Sequence, residues 1–254
     1  MPTLGSDNGL TLADLTGKAY DDPMWDQLLD QMSFEDMSLL VNLGGWQTAQ
    51  IDSVGKVATS DCDGPAGVNN FITGTYGTPY PTEVLMAQTW NTDLLYDLGL
   101  AMGQEYADVN NYGVYGPAMN THRSAFAGRN FEYYSEDGVL AGKLAAAQVN
   151  AMATKGTYNY IKHFALNDQE TNRCAFLLTY SNEQAIREIY LKPFELCIKN
   201  FDGTQIAVMS SFNWIGTVPA CSNEDTLTTI LRNEWGFQGL SLIHISEPTR
   251  RVVI

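Results

Sequence analysis

Short apolar runs alternate with longer amphipathic stretches along most of this chain, and the alternation predicts strands followed by helices. Pro23–Leu43 carries Leu28, Leu29, Met32, Met37, Leu40 and Val41 near helical spacing and predicts one helix. Lys56–Ser60 reads as a short strand, stopped by Asp61-Cys62-Asp63-Gly64-Pro65. Val84–Gln88 reads as a second strand, leading to a helix capped by Asn91 with Leu94, Leu95, Leu98, Met102 and Tyr106 on its apolar face. A third strand, Val114–Met119, precedes a long polar loop. A helix then begins at Ser135, with Glu136 and Asp137 in the first turn, where the helix dipole favours acids, and Leu140, Leu144, Ala147 and Ala151 as its buried stripe. The fourth strand runs from Tyr158 into His163. Its helix opens at the capping box Ser181-Asn182-Glu183-Gln184, buries Ile186, Ile189, Phe194 and Cys197, and is kinked or divided at Pro193. Ile206–Phe212 is the fifth strand, followed by a helix capped by Ser222 that carries Leu227, Ile230, Leu231 and Trp235.

Strands alternating with helices of this length imply parallel βαβ units, in a barrel or an open doubly wound sheet. No GxGxxG and no P-loop follows the first strand, so a dinucleotide or phosphate site lacks support. Polar residues recur just after the strands, at Asp63, Asn120–Glu132, Lys162–Arg173 and Asn213. A (β/α)8 barrel gathers such positions on one face, the face that carries its active site.

Composition changes this picture mainly by exclusion. Hydrophobic residues at 44% and aromatic residues at 11% supply a sizeable core and argue against disorder. A formal net charge of −15 disfavours nucleic acid and anionic membranes, which need clustered Lys and Arg, and suits a neutral ligand such as a sugar. No apolar run approaches the ~18 residues of a membrane span. Cys62, Cys174, Cys197 and Cys221 are scattered, form no CxxC pair and read as free structural thiols, so no metal and no cofactor is expected. Met1–Gly9 lacks the basic and apolar regions of a secretory leader, and with the free thiols this favours the cytoplasm. Residues 1–22 are polar and read as linker or lead-in.

The chemistry concentrates in two loops. Met119–Asp137 is answered about forty residues on by Tyr160–Arg173, and each is crowded with Arg, Lys, His, Asn and Glu where an apolar run ends. Such groups are costly to bury without partners, and a polar ligand gives them a reason. The run Gly128-Arg129-Asn130-Phe131-Glu132 with Ser135-Glu136-Asp137, then Lys162-His163-Phe164 and Asn167-Asp168-Gln169-Glu170-Thr171-Asn172-Arg173, resembles glycoside hydrolase family 3, whose usual members are β-glucosidases and related exo-acting glycosidases. The resemblance spans roughly residues 55–239 and implies a (β/α)8 TIM-type barrel, here incomplete at about five β/α units.

The resemblance also implies roles. Retaining glycoside hydrolysis needs two carboxyl groups about 5 Å apart, one a nucleophile and one an acid/base. The sugar-holding set would be Asp63, Arg129, Lys162, His163 and Arg173, with Met209 and Phe212 lining the pocket. Asp63 would accept hydrogen bonds from two neighbouring hydroxyls. The three cations would donate and help keep a neighbouring nucleophile ionised. His163 would donate to a hydroxyl while its other nitrogen is held by a neighbour. Glu132 and Glu170 are expected as partners of the Arg residues, and Asn120 and Arg123 as shapers of the loop. Where the family usually has Tyr, this chain has Phe212, without the hydroxyl. Lys162-His-Phe-Ala-Leu-Asn-Asp168 departs from the Lys-His-Phe-Pro-Gly-His-Gly of members specialised for N-acetylglucosamine, so a His acid/base is disfavoured. The acid/base is then expected on a separate domain.

After Gly239 the family expects an apolar strand ending in the nucleophile Asp, then Trp. This chain instead reads Leu240-Ser-Leu-Ile-His-Ile-Ser-Glu-Pro-Thr-Arg250, a string that matches the translation of a transposon-type sequencing adapter, and His244 stands about where the nucleophile belongs. The expected organisation is therefore lead-in 1–22, partial barrel 23–239 and non-native tail 240–254. The expected function is that of a retaining exo-acting β-glucosidase on terminal non-reducing β-D-glucosyl residues of a small carbohydrate, in a chain that is itself inactive. The alternatives are a non-catalytic carbohydrate-binding barrel and a barrel enzyme of other chemistry, such as a phosphate-handling isomerase.

Overall fold

The computed structural model describes residues 3–203 and 205–243; His244, which stands about where the nucleophile Asp is expected, lies outside them. The chain divides into two compact units at Asp61/Cys62.

In the first unit the predicted Pro23–Leu43 helix is two helices, α1 (Met24–Leu29) and α2 (Phe34–Asn42). The break has a local cause. Ser33 accepts from the Asp36 amide while the Asp36 carboxylate accepts from the Ser33 amide, a capping box that starts a new helix. Leu15, Leu28, Met32, Ala49, Ile51 and Val54 form this unit's core, so residues of the polar lead-in pack rather than trail. The buried Gln31 amide satisfies itself on the Leu10 backbone and the Ser53 carbonyl.

The main sheet has the strands β1 (Thr59–Asp63), which runs across the division, and, in the second unit, β2 (Asn111–Tyr115), β3 (Tyr158–Phe164), β4 (Ile206–Ser210) and β5 (Leu240–Ile243). Their order is β5-β4-β3-β2-β1, and the β2–β3, β3–β4 and β4–β5 pairs are parallel. This is the α/β arrangement of an incomplete (β/α)8 barrel. Leu240–Ile243 is thus a strand in register with Ala207–Ser210.

Three assignments shift, the first being the initial strand, which lies at Thr59–Asp63 rather than at Lys56–Ser60. Val84–Gln88 is not a strand but the helix α3 (Glu83–Ala87), with extended Thr82 before it. Four apolar residues and a Gln carry too little periodicity to separate the two states. The third strand lies earlier than Val114–Met119, because Gly116-Pro117 interrupts it and Pro has no amide for the ladder. Its continuation still pairs with β3, since Lys162 N–H donates to the Pro117 carbonyl and Met119 N–H to the Lys162 carbonyl.

Helix α4 (Thr92–Asp108) is capped by Asn91 as expected. Helix α5 (Gly138–Ala153) is capped by Asp137 rather than opened at Ser135, whose hydroxyl instead accepts from the Asp137 amide. The next helical segment starts as α6 (Glu183–Ala185) under the Asn182 cap, continues π-helically through Ile186–Tyr190 and restarts at Leu191 as α7 (Lys192–Lys199), so Pro193 sits in a first turn where its missing amide costs nothing. In the last helix (Asp225–Glu234) the capping side chain is Asn223, accepting from the Thr226 amide, rather than Ser222. Helix α5 packs between α4 and α7, and Ile161, Phe164 and Val208 of the strands meet Leu144, Val149 and Phe194 in the main core. Each fully buried Leu or Val there contributes about 1.5–3 kcal/mol.

Candidate active site

Asp63 is the last residue of β1, and Gly64 opens the turn that follows. Gly64 sits at φ +134°, and a Cβ there would collide with the Gly67 carbonyl oxygen and the Tyr106 hydroxyl. That hydroxyl binds the Gly64 carbonyl at 2.7 Å and the Gly67 carbonyl at 3.1 Å, so α4 fixes the turn. Lys162 projects from the end of β3 and is 3% exposed. Its ammonium donates to Asp63 Oδ1 at 3.0 Å and lies 3.9 Å from Glu132 Oε2.

Glu132 closes a tight turn at Asn130–Glu132 and takes a hydrogen bond from Arg129 Nε three residues back. Burial works against the Arg129 charge, but the Glu132 carboxylate outweighs it and holds the guanidinium above its usual range. Arg129 also lies 3.9 Å from Glu170, which pairs with Arg173 at 2.6 Å. Gly128, at φ +97°, suits the left-handed turn, a Cβ there would stand 3.2 Å from Glu170 Cγ, and Glu170 N–H donates to the Ala127 carbonyl. Arg173 ends over the Phe212 ring, 4.7 Å from its centroid. Met209 stands opposite Lys162 in the β3–β4 register.

His163 is held on both sides. Asn120 accepts from the His163 amide at 2.8 Å and donates to its carbonyl at 2.9 Å. The Tyr133 hydroxyl contacts His163 Nδ1 at 3.1 Å, and Asn167 donates to the same hydroxyl at 3.1 Å and to Glu170 at 2.9 Å. Asn167 donates to the phenol oxygen, and in the tautomer in which the phenol's own proton goes to Nδ1, Nε2 is the protonated nitrogen. The same two bonds place His163 in the charged network through Tyr133 and Asn167.

All seven residues singled out for sugar contact thus fall in one region: Asp63, Lys162, Arg129, Arg173 and Phe212 are linked through Glu132 and Glu170, His163 joins through Tyr133, and Met209 lies alongside. Arg123 stands apart, over the Tyr190 ring and near Asp168. Burial pushes the Asp168 carboxyl up to about 7 against the pull of Arg123. Two functional contributors escaped the sequence reading. Tyr133 and Asn167 lie inside the motifs, but nothing in their spacing shows that they meet on His163. Chemically the cluster offers fixed donors and one half-exposed carboxylate, the equipment for gripping vicinal hydroxyls. Among the described residues no three His, Cys, Asp or Glu side chains gather as a metal site, and no helix is long and apolar enough to cross a membrane.

Comparison with known proteins points the same way. Residues 47–243 match the model of the glycosyl hydrolase family 3 N-terminal domain. The chain is 40% identical over 223 residues to beta-glucosidase A of Butyrivibrio fibrisolvens, covering 85% of this chain and 26% of the relative. It is 36% identical over 219 residues to beta-glucosidase B of Emericella nidulans, covering 85% and 25%. Among solved structures, beta-glucosidase 3B of Thermotoga neapolitana in complex with glucose superposes with a TM-score of 0.77 at 36% identity, over 86% of this chain and 33% of that one. A beta-glucosidase of Paenibacillus barengoltzii gives a TM-score of 0.83 at 33% identity, over 96% and 27%. The chain spans about a quarter of the length of the curated relatives it matches. Its motifs, its parallel sheet and these similarities together make it a member of glycosyl hydrolase family 3, carrying that family's N-terminal domain.

Proposed function

We propose that this chain holds the glucosyl unit in a retaining, exo-acting β-glucosidase. The carrying observation is the Lys162–Asp63 pair at the ends of two sheet strands, an ammonium and a half-exposed carboxylate already fixed side by side. In this reading Asp63 accepts from two neighbouring hydroxyls of a terminal non-reducing β-D-glucosyl residue. Lys162 and the protonated Nε2 of His163 donate to the same sugar edge, and Arg129 and Arg173 set the local positive potential. Fixing the ring in this way is where orientation and charge stabilisation enter the acceleration.

The reaction itself needs a carboxylate nucleophile beside the anomeric carbon. The sequence has His244 after Leu240–Ile243, and an imidazole there does not replace an Asp. The chain as written therefore binds glucose without turning over a glucoside. Glucose in excess is expected to raise the melting temperature by mass action, while sorbitol at equal concentration does not, and para-nitrophenyl β-D-glucopyranoside is expected to stay intact. Hydrolysis above the blank contradicts the inactive reading, and equal effects of glucose and sorbitol contradict the sugar site.

A further inference from the structure

Glu83 opens α3 and is 2% exposed, and among the described residues no cation forms with it the ion pair that a buried carboxylate requires. Both carboxyl oxygens are out of solvent without a well-formed hydrogen bond; the nearest donors are the amides of Glu83 itself and Ala118. Helix α3 packs on the Asn130–Glu132 turn, which brings Glu83 within electrostatic reach of Glu132 and Lys162. The buried phenols of Tyr106 from α4 and Tyr134 from the loop also sense it.

The charge count explains why an acid is tolerated there. Asp63, Glu132 and Glu170 balance Lys162, Arg129 and Arg173, so the network is neutral only while Glu83 keeps its proton. Burial, reinforced by the Glu132 charge and opposed by the two amides and Lys162, lifts the carboxyl to about 8.

We propose that Glu83 is a positioning residue of the sugar site, which as a neutral acid leaves the Lys162 ammonium committed to Asp63 and, once ionised, competes with Asp63 for it. The inference rests on the sugar-holding reading given above. Ionised Glu83 adds a third carboxylate within electrostatic reach of Lys162, beside Asp63 and Glu132. The ammonium then has less to offer Asp63, and Asp63 is held less firmly against the sugar.

The test is calorimetric titration of D-glucose into the full chain from about pH 6 to about pH 10. Affinity is expected to fall about tenfold through about pH 8. Glu83→Gln, similar in shape and never charged, is expected to abolish that step, and Glu83→Met serves the same purpose should the Gln variant fail to fold. A flat profile for the native chain, or a variant that falls in parallel with it, overturns the inference and leaves the sugar site standing. Absence of glucose binding by the native chain at every pH overturns the sugar reading and this inference with it.

Discussion

The Lys162 ammonium meets the Asp63 carboxylate at 3.0 Å across 99 residues of sequence, and the two partners differ sharply in exposure, 3% against 42% of the side chain. The pair therefore does two jobs with different weights. Removing Lys162 strips a buried cation from between two carboxylates, whereas removing Asp63 takes away a group that water already reaches. Lys162→Met is expected to destabilise the fold by about 3 kcal/mol. Asp63→Ala is expected to cost no more than about 1 kcal/mol. Urea midpoints measure both, and equal losses would contradict the asymmetry.

His163 depends on Tyr133 for its ring orientation. Tyr133→Phe deletes one buried hydroxyl that serves His163 and Asn167, with an expected stability cost of about 1 kcal/mol. Glucose affinity is expected to drop more than that cost suggests, because the ring loses the hydrogen-bond partner of Nδ1 that holds its orientation. Titration calorimetry on the folded variant checks this, and unchanged affinity would remove His163 from the sugar contacts.

Glu83 also leaves a mark on folding. In the unfolded chain its carboxyl releases its proton near 4.5, and in the native protein burial retains the proton up to about 8. Between these values the native state binds more protons than the unfolded one, so stability falls as pH rises. The slope is at most about 1.4 kcal/mol per pH unit and vanishes above about pH 8. Glu83→Gln is expected to gain on the native chain steadily between about pH 5 and about pH 7.5, as read from urea midpoints at both ends. A constant difference would mean that Glu83 is already ionised in the native protein.

Gly142 tests the helix packing that carries the sheet. A Cβ at this position would stand 2.6 Å from the Leu196 Cβ and 2.8 Å from the Pro193 carbonyl oxygen. Gly142→Ala is expected to destabilise by about 1–3 kcal/mol through overpacking, despite the better helix propensity of Ala. A higher melting temperature would show that α7 yields more easily than the close approach implies.

Much of this was legible from residues alone, and the limits have physical causes. Lys162-His163 declared itself because charged side chains at the end of a buried strand need partners, and Asp63 because it follows a strand and precedes Gly-Pro. Asn91 and Asn182 announced helix starts through their side-chain chemistry. Val84–Gln88 misled because four apolar residues in a row fit either state, and its first-turn neighbour Glu83 passed unnoticed for the same reason: a charged residue beside a short apolar run looks like solvent-facing punctuation. The Ser33/Asp36 capping box that splits α1 from α2 was present in the sequence but overshadowed by continuous helical spacing. The links from Tyr133 and Asn167 to His163 are long-range, and no local pattern encodes them.

The central claim is that Asp63, fixed by Lys162, grips the sugar. The most direct test is calorimetric titration of D-glucose into the native chain and into Asp63→Ala, with circular dichroism confirming that both are folded. Saturable binding to the native chain and its loss in the variant are expected. Equal affinities in two folded proteins would contradict it.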